Sequence, residues 1–150
     1  MDAERTKAGA NVKQAVPFFA VSRIEESVRF YVTGLGFEMT RRWVVEERLQ
    51  WCWLQLGDAA LMLQEFPKEG RHARALASKM GEGVTICFQC EDALSIYREV
   101  VSRGIEATRP FVGNGMWVTT LTDPDGYRLE FESVTDAPEE TVLAEPGSGS

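Results

Sequence analysis

Apolar and polar positions along this chain follow two rhythms, one of period two and one of helical period, in an order that occurs twice. Residues 15–21 (AVPFFAV) are an apolar run of strand length, followed by Ser22, which suits a helix cap. Beyond it Ile24, Val28 and Tyr31 recur at helical spacing and predict an amphipathic helix over 24–34, ended by Gly34 and Gly36. Three strand-like runs follow at 37–46, 49–57 and 59–65, and Gly57-Asp58 between the last two suits a tight hairpin. A polar stretch over 66–83 interrupts the pattern, with room for a helical turn at His72–Lys79. The order then returns: a strand at 84–90, Asp92 as a cap, a helix over 93–103 carrying Leu94, Tyr97 and Val101 on one stripe, Gly104, and strands at 105–111, 115–122 and 126–133.

Tyr31 and Tyr97 occupy equivalent places 66 residues apart. A period this long marks a duplicated half-domain, since solenoid repeats are shorter. The pattern predicts an α+β fold of two β-α-β-β-β modules, at 15–65 and 84–133, joined by the linker 66–83, with sheets curled around a shared cavity and a helix outside each. Residues 1–14 and 134–150 lack periodicity and read as mobile tails.

Composition narrows the function. With 150 residues and 44% apolar content the chain builds one real core. Its 23 acidic against 16 basic residues give a net charge of −7, which repels nucleic acid. No apolar run is long enough to span a bilayer, and residues 1–14 lack the apolar stretch of a secretory signal, so a cytoplasmic protein without nucleic-acid or membrane partners is expected. Cys52, Cys87 and Cys90 have no framework spacing. Cys87 and Cys90, three apart on a strand, point to opposite faces, which argues against a redox or zinc pair and for buried thiols.

Three segments carry a resemblance to a known family. AVPFFAVSRIEESVRFYVTGLGF resembles the opening strand and helix of the vicinal-oxygen-chelate superfamily, the family of glyoxalase, bleomycin-resistance protein and extradiol dioxygenase. TDPDGYRLEFES resembles its closing hairpin and last strand, and GVTICFQCEDALSIYREV the start of its second module. The Asp-Pro-Asp-Gly hairpin is the most specific of these elements. The resemblance covers 15–133 and implies a homodimer.

Metal-using members place one ligand on each of four strands, and the held cation chelates neighbouring substrate oxygens. The resemblance carries those positions to Val16, Met62, Thr85 and Glu130. Val16 and Thr85 are 69 residues apart and Met62 and Glu130 are 68 apart, so the assignment is self-consistent. Valine cannot coordinate a metal, and Met and Thr are poor donors for a hard or borderline cation, which leaves Glu130 alone. No metal and no other cofactor is expected.

Strand alternation from these positions turns Phe18, Met62, Gln64, Thr85, Cys87, Gln89, Arg128 and Glu130 into the cavity. Trp51 and Trp53 share a face around Cys52, and Trp117 lies on a strand whose family equivalents line the ligand cleft. A tryptophan in a sheet is most often core, but four in one small domain also suit stacking on a flat or cationic ligand. Glu130 could serve as a base, as a counter-charge for a cation, or simply pair with Arg128. Three functions follow. The first is a metal-independent binding protein that sequesters a small aromatic or cationic compound, as bleomycin-resistance proteins do in a cleft at their dimer interface. The second is a glyoxalase-like lyase or isomerase using Glu130 as base or metal ligand, and the third a non-catalytic partner-binding module.

Overall fold

In the computed structural model, which describes residues 9–67, 69–70 and 80–144, the duplicated pattern folds as two open four-stranded sheets. The first contains β1 (Phe18–Val21), β2 (Glu38–Val45), β3 (Arg48–Leu56) and β4 (Ala59–Glu65), in the order β1-β4-β3-β2. The second contains β5 (Thr85–Gln89), β6 (Thr108–Gly113), β7 (Met116–Thr122) and β8 (Arg128–Val134), in the order β5-β8-β7-β6. In each sheet the first strand runs parallel to the fourth and the other neighbours are antiparallel. Helix α1 (Ile24–Val28) packs on β3 and β4, and α2 (Ala93–Ser102) on β6, β7 and β8. The α+β, two-module reading therefore holds. The helical turn expected at His72–Lys79 lies outside the described residues.

Where boundaries differ from the sequence pattern, a backbone group is committed elsewhere. β1 starts at Phe18, because Pro17 has no N–H and contributes only its carbonyl, which accepts from Met62 N at 2.8 Å. β6 starts at Thr108 because the Ile105 N–H closes the end of α2 on Val100 O at 3.0 Å. β8 starts at Arg128 because the amides of Asp125 and Tyr127 both donate to Asp123 Oδ1 at 2.9 Å, tightening the Asp-Pro-Asp-Gly turn.

Asp92 caps α2 as expected, its carboxylate accepting from Leu94 N and Ser95 N. Ser22 does not cap α1. The Ser22 amide donates to Asp125 and the Ile24 amide to Glu65 Oε2, so carboxylates from β4 and the β7–β8 turn serve that helix end. The helix over 24–34 is also wider than expected: Arg29–Gly34 forms a π-helical turn, and the Leu35 N–H reaches back to Phe30 O at 3.0 Å.

Both sheets bury their helix-side faces in one core. Cys52, Leu54, Leu61 and Leu63 come from the first sheet, Leu121, Leu129 and Phe131 from the second. A run of rings crosses the junction: Tyr31 meets Phe37 edge-on at 5.5 Å, Phe37 meets Phe88 at 6.0 Å, and Phe88 stacks on Phe131 at 4.8 Å. Tyr127 stacks on Phe19 at 4.0 Å and donates its hydroxyl to Ala20 O. Among the described residues beyond β8, 141–143 do not hang free as the expected tail. Val112 N donates to Thr141 O and Leu143 N to Pro110 O, which lays 141–143 along the outer edge of β6 and covers an otherwise unpaired strand.

Candidate functional site

Because cross-strand partners share a face, the registers fix what each sheet presents on the side away from the core. On the first sheet Phe18, Met62, Trp53 and Arg41 form one row, and Ala20, Gln64, Trp51 and Trp43 the next. Trp43 is 53% exposed and Phe18 48%, whereas Cys52 and Leu54 on the opposite face are fully buried. The result is an aromatic shelf open to solvent. The Arg41 guanidinium lies over the Trp53 ring, 4.4 Å from its centroid, and Trp53 Nε1 donates to Gln55 Oε1 at 2.8 Å, which fixes the ring.

The second sheet presents a polar wall. Thr85, Arg128 and Thr122 form one row, Cys87, Glu130 and Thr120 a second, and Gln89, Glu132 and Val118 a third. Arg128 Nη2 donates to Glu130 Oε2 at 3.3 Å, the pairing that the sequence allowed for. Gln89 Nε2 donates to Glu132 Oε1 at 2.7 Å.

Of the residues expected in one cavity, Phe18, Trp51, Trp53, Met62 and Gln64 thus gather on the shelf, and Thr85, Gln89, Arg128 and Glu130 on the wall. Trp117 joins neither. It pairs with Ser133, whose hydroxyl accepts from Ala93 N at the start of α2, so the ring lies on the helix side of the second sheet. The family ligand positions are also divided. Val16 precedes β1, Met62 is on the first sheet, and Glu130 lies beside Cys87 while Thr85 lies beside Arg128. Val16, Met62, Thr85 and Glu130 do not fit a chelated cation, since three of the four lack a suitable donor.

The wall is less poor in donors than expected. Cys87, Glu130 and Glu132 bring three potential ligand atoms within 4.8 Å of one another, with Cys87 Sγ 3.8 Å from Glu130 Oε1. Cys87 is exposed, against the buried-thiol expectation, and Cys90 is half-buried; only Cys52 is fully buried. Partial burial and then the Glu132 and Glu130 charges push the Cys87 thiol up, so it stays protonated and is a weak nucleophile. Sequence reading does not single out Glu132 or Arg41, and takes Trp43 only as one of the four tryptophans that suit stacking on a ligand. Period-two counting from Glu130 reaches Glu132, but Arg41 and Trp43 needed the β2–β3 register, with its two shifts.

The model of the Glyoxalase/Bleomycin resistance protein/Dioxygenase superfamily matches residues 13–131. No curated protein sequence matches the chain. Among solved structures, the bleomycin resistance determinant encoded on the transposon Tn5 is 24% identical, with a TM-score of 0.63 over 84% of this chain and 100% of that one. TioX from Micromonospora sp. ML1 is 16% identical, with a TM-score of 0.65 over 82% and 99% of the two chains. TnmS3, an antibiotic binding protein from Streptomyces sp. CB03234, is 18% identical, with a TM-score of 0.59 over 83% and 98%. At these identities the likeness is one of fold. Among the described residues no helix is long and apolar enough to cross a membrane.

Proposed function

Since this chain belongs to the glyoxalase/bleomycin resistance protein/dioxygenase superfamily, we propose that it is a cytoplasmic, metal-independent protein that binds a small planar aromatic or cationic compound on the shelf formed by Trp43, Trp51 and Trp53. The observation that carries this reading is Arg41 over Trp53: the ring already receives a flat cation, and a ligand cation could take the same face. The Glu130 and Glu132 carboxylates of the polar wall would supply the counter-charge. The wall and shelf lie on separate sheets that share a core on their other side, so the cleft closes when the shelf of one copy meets the wall of a second in a homodimer. The bleomycin resistance determinant and the antibiotic binding protein among the structural relatives support this class of ligand.

Bleomycin is the first ligand to test. Titration followed by tryptophan fluorescence and by melting temperature should give saturable binding, and Trp53→Ala should weaken it by roughly tenfold or more, as expected for a lost aromatic anchor. Unchanged binding in Trp53→Ala would remove the shelf from the reading.

One observation favours a second reading, a metal-assisted lyase or isomerase with Glu130 as ligand or base: the Cys87, Glu130 and Glu132 donor group. Metal analysis separates the two. On the first reading zinc, nickel and manganese leave the melting temperature unchanged; stoichiometric metal lost together with Cys87→Ala or Glu130→Ala would move the protein to the second.

A further inference from the structure

A cleft of about 400 Å³ opens between the two modules on the helix side, away from the shelf and touching the wall only at Gln89. Its volume falls within the range of roughly 300–1,000 Å³ typical of small-molecule sites. Leu35 and the β3–β4 turn (Leu56, Gly57, Asp58, Ala59) form one side, and Phe88, Cys90, Ile96, Val100 and Phe131 the other. The stacked Phe88 and Phe131 are nearly fully buried, as is Val100, so the floor is apolar. Burial also raises the Cys90 thiol, which stays neutral at this wall.

The turn leaves the mouth uncovered. Gly57 carries no side chain, a Cβ there would meet nothing, and Ala59 is small. Two carboxylates stand at the rim, Asp58 in the turn and Glu99 on α2. Arg103 is 3.9 Å from Glu99, but its Nη1 is committed to Gly34 O at 2.9 Å. Among the described residues Asp58 has no ion-pair partner.

We propose that this intermodule cleft is a second small-molecule site, selective for a hydrophobic amine whose apolar body lies on Leu35, Ile96, Val100 and Phe131 and whose ammonium group faces Asp58 and Glu99. The site is independent of the aromatic shelf. It draws its lining from both modules, so an occupant braces the β3–β4 hairpin of the first against α2 of the second.

The probe is 1-naphthylmethylamine, with 1-naphthalenemethanol as its neutral counterpart, titrated into the ¹⁵N-labelled full-length protein and followed by amide and indole resonances. The amine should shift Gly57, Ala59, Gln89 and Cys90 in a saturable way and bind roughly tenfold more tightly than the alcohol, the range expected of a charge-assisted contact at a partly desolvated rim. Asp58→Asn, at an exposed turn position, should erase most of that preference, and Ala59→Leu should weaken both probes by filling the mouth. Trp53→Ala should leave these shifts intact, which separates this site from the shelf. Equal affinity for amine and alcohol, a preference unchanged in Asp58→Asn, or shifts confined to the Trp51 and Trp53 region would overturn the proposal.

Discussion

Asp123 shows how much a single residue joins. Tyr31 on the π-helical turn donates its hydroxyl to Asp123 Oδ2 at 2.7 Å, while Asp123 Oδ1 holds the Asp-Pro-Asp-Gly turn of the other module. Losing either partner leaves the other polar group buried, so Tyr31→Phe should cost about 1–3 kcal/mol of stability. Burial drives the Asp123 pKa above the ordinary carboxylate value, although the Tyr31 hydrogen bond and two amides pull the other way. A carboxylate raised on folding binds its proton at higher pH in the native state than in the unfolded chain. Its stabilising contribution is complete below the unfolded value and is lost as pH rises through the folded one. Urea midpoints for wild type and Asp123→Asn should therefore diverge in favour of wild type as pH falls from neutral toward the ordinary carboxylate value. Midpoints that converge on acidification would mean that Asp123 is held ionised.

At the scale of elements, the two modules solve the same hairpin differently. The β6–β7 turn places Asn114 at φ 54° and Gly115 at φ 74°, the residues that tolerate the left-handed region best, and Glu139 accepts from both amides. The β2–β3 turn places Glu46 at φ 50° and Glu47 at φ 65°, with Cβ strain at both and two like charges side by side. Replacing Glu46-Glu47 with Asn-Gly should raise stability by about 1 kcal/mol, read from the urea midpoint at constant slope. A fall would show that the glutamates make compensating contacts. The same pair marks where sequence reading ended. Gly57-Asp58 announced its hairpin through glycine, and Asp92 its helix through capping chemistry, because both signals are local. The Glu46-Glu47 turn has no such residue. The caps of α1 come from Asp125 and Glu65, distant in sequence, and nothing periodic in 136–144 announces its pairing with β6.

The site illustrates the same limit on the scale of the whole molecule. Strand alternation separates Trp51 and Trp53 from Cys52 correctly, but it gives only relative phase. Whether Trp117 or Val118 faces the polar wall depends on which β7 residue stands opposite Glu130, and that partner is Thr120, three positions from Trp117. Three is an odd step on a strand, so the ring turns to the helix side. The pattern likewise foresaw one cavity between two curled sheets, whereas the sheets share their helix-side core and leave shelf and wall open within one chain.

That openness leads to the last prediction. Phe18 and Trp43 are exposed on one face with the half-buried Trp51 and Trp53 beside them, and contiguous apolar patches mark interaction surfaces. The facing chemistry is complementary, with Arg41 on the shelf and Glu130 and Glu132 on the wall, so shelf against wall across a two-fold axis satisfies both at once. Sedimentation at micromolar concentration should therefore give a species of twice 16.8 kDa. Trp43→Glu places a charge in that contact at a position 53% exposed in the single chain, so it should yield folded monomers with an unchanged far-ultraviolet spectrum. The same variant should also lose bleomycin binding, because Trp43 belongs to the ligand shelf as well as to the contact. A wild-type protein that sediments at 16.8 kDa and still binds the drug would place the ligand on the shelf of one chain alone, with the wall uninvolved.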